Sequence, residues 1–458
     1  MKDSNFLREN NARFLWHPMG HPADSIKNPP YIVVGGSGVR IRDLDGTEVI
    51  DAVAGLWNVN LGFSCEPIKK AIAAQLDALP YYSTFRGSTN DKIIELSYMI
   101  RDFFRDEGME RAFFTSGGSD SVETALRLAR QYHKIRREPG RTKFISLKLG
   151  YHGTHFGGAS VNGNPRFRQP YEPMLSGCFH IPAPHAYRNP FGIADGSLLA
   201  EKCAEMLDQE IKFQGAETIA AFIMEPVLGA GGVIVPPENF MPLVRDICDR
   251  HGILLIADEV ITGFGRTGEW SGSRLWGVRP DMMTIAKAIT NGYFPFGAAL
   301  LSAKIADAFE SSEPGAGFIG HGYTYSGHPV GAAAAVACLD ETKRLNVARN
   351  AKARGRQLLD GLHRIKSKHG SVVGDARGIG LMAALELVSD PETKEPLDPA
   401  AVDRIHKSIY KAGVMVRISG AFVLMSPPLI ISERDVDSIV DAIDAGLEDA
   451  LQGAGRAG

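Results

Sequence analysis

Short apolar runs alternating with helical periodicity fill the middle of the chain, from about residue 60 to 325. The clearest runs are Lys143 to Leu147, Ile219 to Met224, Ile253 to Ala257, Met282 to Ile285 and Ala298 to Ser302. Strands buried on both faces read as unbroken apolar runs, so this stretch predicts a mostly parallel sheet covered by helices. Upstream, Tyr31 to Val34 meets Gly35 to Gly38, and Val39 to Arg42 leads into Asp43 to Gly46, which predicts short strands and turns. Downstream of 330 come a long helical stretch, a strand at Leu381 to Val388, and strands at Val414 to Arg417 and Phe422 to Met425. Helical patterns over 399–412 and 433–452 flank them. The expected fold class is α/β: a large domain over 60–325 and a small α+β domain assembled from both chain ends, 1–59 and 326–458. Gly453 to Gly458 is expected to fray.

Several of these runs stop at residues that a strand interior would not choose. Ile219 to Met224 ends in Glu225-Pro226, Ile253 to Ala257 in Asp258-Glu259, and Met282 to Ala286 in Lys287. Phe113 to Thr115 runs into Ser116-Gly117-Gly118-Ser119-Asp120, and helical spacing follows at Val122, Ala125, Leu126 and Ala129. In open α/β sheets ligands bind beyond the carboxyl ends of the strands. A glycine-rich turn into a helix start offers free N–H groups and a positive dipole end to a phosphate, although the same turn also serves with nothing bound. Asp120 with Glu123 fits a capping box. Lys287, set in an apolar run, is expected to have a depressed pKa, as reaction with a carbonyl requires; a lysine snorkelling from an edge strand is the plainer alternative. Asp258 and Glu225 have plainer readings too, as N-caps or ion-pair partners. One cofactor unites the four ends. Pyridoxal 5′-phosphate carries a phosphate for the helix start, an aldehyde for Lys287 and a ring nitrogen for a buried carboxylate such as Asp258.

At this point the chain resembles the class III pyridoxal-phosphate aminotransferases, in particular the omega-amino-acid or amine:pyruvate transaminases. The resemblance spans about residues 15 to 450 and centres on the run from Leu255 to Gly268 (LIADEVITGFGRTG) followed by Lys287. It implies the fold-type I architecture and a homodimer with shared active sites. It also implies ping-pong transfer of an amino group from a primary amine or omega-amino acid to a keto acid. Residue by residue it implies Lys287 as the Schiff-base lysine and Asp258 as partner of the ring nitrogen. Val260 and Tyr151 would flank the ring, Gly118 and Ser119 would hold the phosphate, and Glu225 would support the pocket. Thr324 would reach the phosphate of the neighbouring subunit. Trp57 and Phe85 would line the substrate pocket, and Arg417 would receive a substrate carboxylate. Two departures matter. Ala230 stands where relatives of the ornithine and GABA type carry a Glu, which favours pyruvate over 2-oxoglutarate as acceptor. Arg86 follows Phe85 where many relatives have an aromatic or small residue; it would contact an acidic substrate or only brace its loop.

Composition narrows the field. Fifty Lys plus Arg against 53 Asp plus Glu gives a net charge of −3, and no long basic run favours nucleic acid. Fifty glycines exceed the usual share of about 7%, in keeping with many tight turns. Five scattered cysteines without zinc spacing predict reduced thiols in a cytoplasmic protein. The polar start, Met1 to Phe6, lacks the apolar core of a signal peptide, and no apolar stretch is long enough to cross a membrane. Gly263 to Gly268 fits GxGxxG, but Glu269-Trp270-Ser271-Gly272 opens no periodic helix, so a nicotinamide oxidoreductase is a remote alternative. The His152/His155 and His17/His21 pairs have no acid or cysteine at zinc spacing, so no metal is expected; they read as surface or hydrogen-bonding histidines. No GxSxG elbow is present. A non-catalytic binding protein would need a dead site. An aminomutase or a decarboxylating transaminase using the same cofactor would share all these residues and is the nearer alternative.

Overall fold

The computed structural model describes residues 3–454. Its largest sheet has seven strands: β1 (Met109–Thr115), β2 (Lys143–Leu147), β3 (Cys178–Ile181), β4 (Ile219–Met224), β5 (Leu254–Asp258), β6 (Met282–Ile285) and β7 (Gly297–Ser302). They lie in the order β1-β7-β6-β5-β4-β2-β3. Only β7 runs against its neighbours β1 and β6; the remaining pairs are parallel. The ends of β1, β4, β5 and β6 therefore meet along one edge.

The apolar runs are continuous because both faces of this sheet are covered. Leu254 and Ile256 of β5 pack with Val122, Leu126 and Ala129 of helix Gly118–Ile135. The alternate residues Leu255 and Ala257 face helices Gly196–Gln214 and Phe240–His251 through Leu207 and Val244. Alternation of side chains along a strand sends one set to each layer, and each aliphatic side chain so covered is worth about 1.5–3 kcal/mol.

Strands Val33–Ser37, Arg40–Asp43 and Glu48–Asp51 form a second sheet, completed in parallel by Val414–Met415 from the other end of the chain. Gly35-Gly36-Ser37, expected as a turn, belongs to the first of these strands. The third sheet runs Val373–Ile379, Met382–Asp390, Phe422–Met425, Arg417–Ser419, with Glu395–Pro396 at its side. The expected strand Val414 to Arg417 is thus two strands in two sheets, with the buried Val416 between them. The long helical stretch after 330 is broken in two, Pro329–Leu345 and Val347–Lys368. Asn346 between them has a left-handed φ of 45°, a conformation Asn tolerates better than most residues. The last helix extends to Ala454, so Gly453 and Ala454 are helical, while residues 455–458 of the expected frayed tail lie outside the described residues.

Arg266 ties these parts together. Fully buried, it donates to the carbonyls of Leu381 (2.9 Å) and Pro427 and to the Asn60 side chain. Burial pulls its guanidinium down to about 9, opposed by Asp51. No helix among the described residues is long and apolar enough to cross a membrane.

Candidate active site

The shared edge of β1, β4, β5 and β6 opens on a cavity of about 190 Å³. Gly118, Ser119, Tyr151, Glu225, Asp258, Val260 and Lys287, seven of the residues singled out from the sequence, line it together. They arrive from the ends of five strands, β1, β2, β4, β5 and β6, or the loops after them, which is why their spacing in sequence is so wide.

Asp258 closes β5 and is buried. Its Oδ2 faces His152 Nδ1 at 2.8 Å, and its Oδ1 accepts from Thr284 Oγ1 (3.1 Å) and from the Val260 amide (3.2 Å). Register explains one partner, since Asp258 pairs directly with Thr284 on β6. Glu225 follows β4 and accepts from the amides of Tyr151 and Gly229, each at 2.9 Å. Burial, against the pull of His152 and those two amides, pushes its carboxyl up to about 7; the Asp258 charge pushes the same way. Glu259 turns away from the cavity and accepts from Thr262, Gly272 and Ser273.

Lys287 follows β6 with a left-handed φ of 50°. Such a conformation costs a non-glycine residue on the order of 1–3 kcal/mol and is often found at functional sites. Burial pulls its amine down to about 8, although Asp258 and Glu225 both pull it up. An amine in that range is partly neutral near pH 7.5 and available as a nucleophile.

The cavity floor is the start of helix Gly118–Ile135. Its N-cap, Gly117, makes no side-chain capping bond, so the first amides are left facing the cavity. The expected Asp120/Glu123 capping box does not form. The helix begins two residues before Asp120, whose carboxylate instead accepts from the Ser116 amide and pairs with His155. Two glycines keep the cradle open. A Cβ on Gly118 would lie 3.0 Å from Val260, and one on Gly153, whose φ is +98°, would lie 2.7 Å from Ser119 Oγ.

The other residues singled out are placed differently. Trp57 is buried in an apolar cluster with Val227, Ile261, Met382 and Leu424, and its neighbour Leu56 lines the cavity in its stead. Phe85 and Thr324 are both exposed and lie outside this cavity. Phe85 and Arg86 line a larger groove of about 740 Å³ with Phe113 and Phe318. The Thr324 carbonyl accepts from Tyr81 Oη at 2.7 Å. Arg417 opens strand Arg417–Ser419, half-buried; burial and then the charge of Arg166 lower its pKa, and Tyr151 raises it. Of the pair His152/His155, read as surface or hydrogen-bonding histidines, His152 is buried and bonds Asp258; Thr284 and Leu56 were not singled out from the sequence. Thr284 had left one trace, a hydroxyl inside the apolar run Met282 to Ile285.

The donor set answers the three functional groups of pyridoxal 5′-phosphate: uncapped helix amides for the phosphate, a buried carboxylate for the ring nitrogen, and a depressed amine for the aldehyde. A fold-type I enzyme of this cofactor is the class that this sheet order and site define, and the chain belongs to the class-III aminotransferases, whose family model matches residues 22–447. It is similar to the putrescine–pyruvate aminotransferase of Pseudomonas aeruginosa, with 37% identity over 410 residues covering 89% of this chain and 88% of that one. Among solved structures, a PLP-bound amine transaminase from an uncultivated Pseudomonas species is 47% identical. It superposes with a TM-score of 0.94 over 95% of this chain and 99% of its own. The omega transaminase of Pseudomonas jessenii in complex with PMP is 35% identical, with a TM-score of 0.94 over 99% and 100% of the two chains. The protein is thus a PLP-dependent transaminase acting on an amine donor and a keto acid.

Proposed function

We propose that this enzyme moves the amino group of a primary amine or omega-amino acid to pyruvate, in two half-reactions sharing one pocket. The observation that carries the reading is the meeting of Lys287, Asp258 and the uncapped helix start in a single cavity. When bound, pyridoxal phosphate supplies an aldehyde that takes up the amino group and a ring that withdraws electrons from the substrate carbon. Asp258, fixed by His152 and Thr284, would hold a proton on the ring nitrogen. Val260 and Tyr151 would hold the ring and the amides of Gly118 and Ser119 the phosphate, with Glu225 bracing the Tyr151 loop. The Lys287 amine would take a proton from the substrate carbon and give one back. An aminomutase or decarboxylating enzyme would use the same groups; amino transfer within one molecule, or release of carbon dioxide, would mark it.

The acceptor reading rests on Arg417 and Ala230. Arg417 has no carboxylate partner among the described residues, and the turn carrying Ala230 offers none. A free guanidinium meets the carboxylate of a short keto acid and can swing aside for an amine that lacks one. Pyruvate is therefore expected to support faster turnover than 2-oxoglutarate. In Arg417→Ala the KM for pyruvate should rise about 10-fold or more, as for the loss of a charged hydrogen bond. The half-reaction with a carboxylate-free amine should change far less. Equal damage to both half-reactions would mark Arg417 as structural.

The active unit we propose is a homodimer. The groove beside Phe85 is walled by apolar side chains, and Phe318 and Tyr325 next to Thr324 are exposed, as suits a face covered by a second copy. Thr324 would then serve the partner's phosphate, with Trp57 and Phe85 shaping the substrate pocket from behind and from across the interface. Thr324→Val should lose cofactor faster on dialysis, by an interaction worth roughly 1.5–3 kcal/mol. A fully active monomer in light scattering would overturn the assignment. Residues 60–325 would form the cofactor domain, and 1–59 with 326–458 the small one, in line with the N-terminal strands being completed by Val414–Met415. The absence of disulfides among the five cysteines suits the cytoplasm.

A further inference from the structure

Tyr151 and Gly153 line both the cofactor cavity and an adjoining space of about 550 Å³. A volume of that size exceeds what a three-carbon keto acid fills and leaves room for the tail of a longer donor. Its walls are largely apolar, with Met19, Phe156, Phe167 and Met174 among them, and Phe167 packs edge-on against the Tyr151 ring at 4.9 Å between centroids.

One cationic side chain, the exposed Arg166, lines this chamber. Arg166 lines it from the short turn Pro165–Phe167, and its only side-chain hydrogen bond among the described residues is a long one, 3.5 Å to the Met19 carbonyl. It has no acidic partner there. Glu172, close in sequence, is paired with Arg168 instead. None of the residues lining the chamber is acidic. His21 uses Nδ1 to accept from the Ala23 amide, which leaves its other ring nitrogen as a donor. Arg417, outside the lining of both spaces, is close enough to Arg166 for the two guanidinium groups to repel one another. The chamber therefore presents an apolar passage with positive charge and hydrogen-bond donors along it.

We propose that Arg166 is a specificity-determining residue that selects donors with an apolar chain ending in an anion, the longer omega-amino carboxylates, and turns away diamines. A distal carboxylate would meet Arg166 while the amine reaches Lys287. A distal ammonium would meet the Arg166 guanidinium, with Arg417 near it, and no acid. This separates the chain from the similar putrescine–pyruvate aminotransferase, and it rests on the transaminase reading above.

Steady-state kinetics of the full-length holoenzyme with pyruvate would test it, using 8-aminooctanoate, n-octylamine and putrescine as donors on wild type, Arg166→Gln, Arg166→Lys and Arg166→Glu. Wild type is expected to favour 8-aminooctanoate over putrescine by about 10-fold or more in kcat/KM. Arg166→Gln should raise the KM for 8-aminooctanoate about 10-fold with kcat little changed, and leave n-octylamine unaffected. Arg166→Lys should restore most of the preference, and Arg166→Glu should move it toward putrescine. A wild-type preference for putrescine would overturn the proposal, as would equal losses with 8-aminooctanoate and n-octylamine in Arg166→Gln, the mark of a structural role. Turnover of none of the three donors would sink the transaminase reading itself, and the proposal with it.

Discussion

Replacing Lys287 with alanine is expected to lower turnover about 100-fold or more, the usual scale for losing a positioned acid–base group. The variant should still fold, because alanine meets a cost at this left-handed φ similar to that of lysine, and the side chain removed lines a cavity and fills no packed core. Borohydride reduction of the native enzyme followed by peptide mapping should place the pyridoxyl group on Lys287; a label on another lysine would overturn the assignment. The pH dependence follows from the amine lying near 8. Below that value its neutral fraction falls about tenfold per pH unit, and the rate at which apoprotein captures cofactor should fall with it. The same shift bears on stability. Between pH 8 and 10.5 the unfolded chain keeps a proton on Lys287 that the folded chain has released. Its contribution to apoprotein stability therefore rises with pH across that window. Urea titrations of wild type against Lys287→Ala would read the difference.

Asp258→Asn should retain the cofactor but lose activity on the order of 100-fold, comparable with removing one preorganised electrostatic contact. The amide cannot supply the negative charge that keeps the ring nitrogen protonated. Its fit is nonetheless good. The Val260 amide and Thr284 hydroxyl both donate to Oδ1, which an Asn oxygen can replace. The Asn amino group would then face His152, whose ring can present an acceptor at Nδ1 by carrying its proton on Nε2, an atom with no hydrogen-bond partner among the described residues. Absorbance of the bound cofactor after gel filtration, set beside turnover, separates the two effects. Near-normal turnover would mean that the ring nitrogen needs no carboxylate.

The same two residues mark how much of the site was legible along the chain. A lysine or an aspartate that ends an apolar run stands out because a buried strand has no use for a charge. Four such endings, with a glycine turn among them, were enough to specify the chemistry of the cofactor before any contact was known. The strands of the large sheet were legible for a related reason, since burial on both faces leaves no polar residue to break the run. Where a segment serves two sheets, as Val414 to Ser419 does, the apolar run is just as continuous, and hydrophobicity carries no record of the change of partner.

By itself, then, the sequence determined the α/β class, the ends of the central strands and the cofactor, and it singled out Lys287 and Asp258, which share one cavity. All of these rest on residue type at a position along one strand. Only the tertiary structure decided that His152 and Thr284 brace Asp258, that Leu56 and not Trp57 faces the cavity, and that Arg266 joins three distant segments. The Asp120 cap was lost for the same reason: β1 and the loop after it set where the helix begins, and Asp120 was recruited by His155, 35 residues away in sequence. The orphan charge of Arg166 is the last example. The arginine between Pro165 and Phe167 stays exposed, but folding leaves it without an ion pair among the described residues and sets it at an apolar chamber. Local pattern records what a residue is and whether its strand is buried; which groups it meets depends on strand order and loop paths that connect residues far apart in the chain.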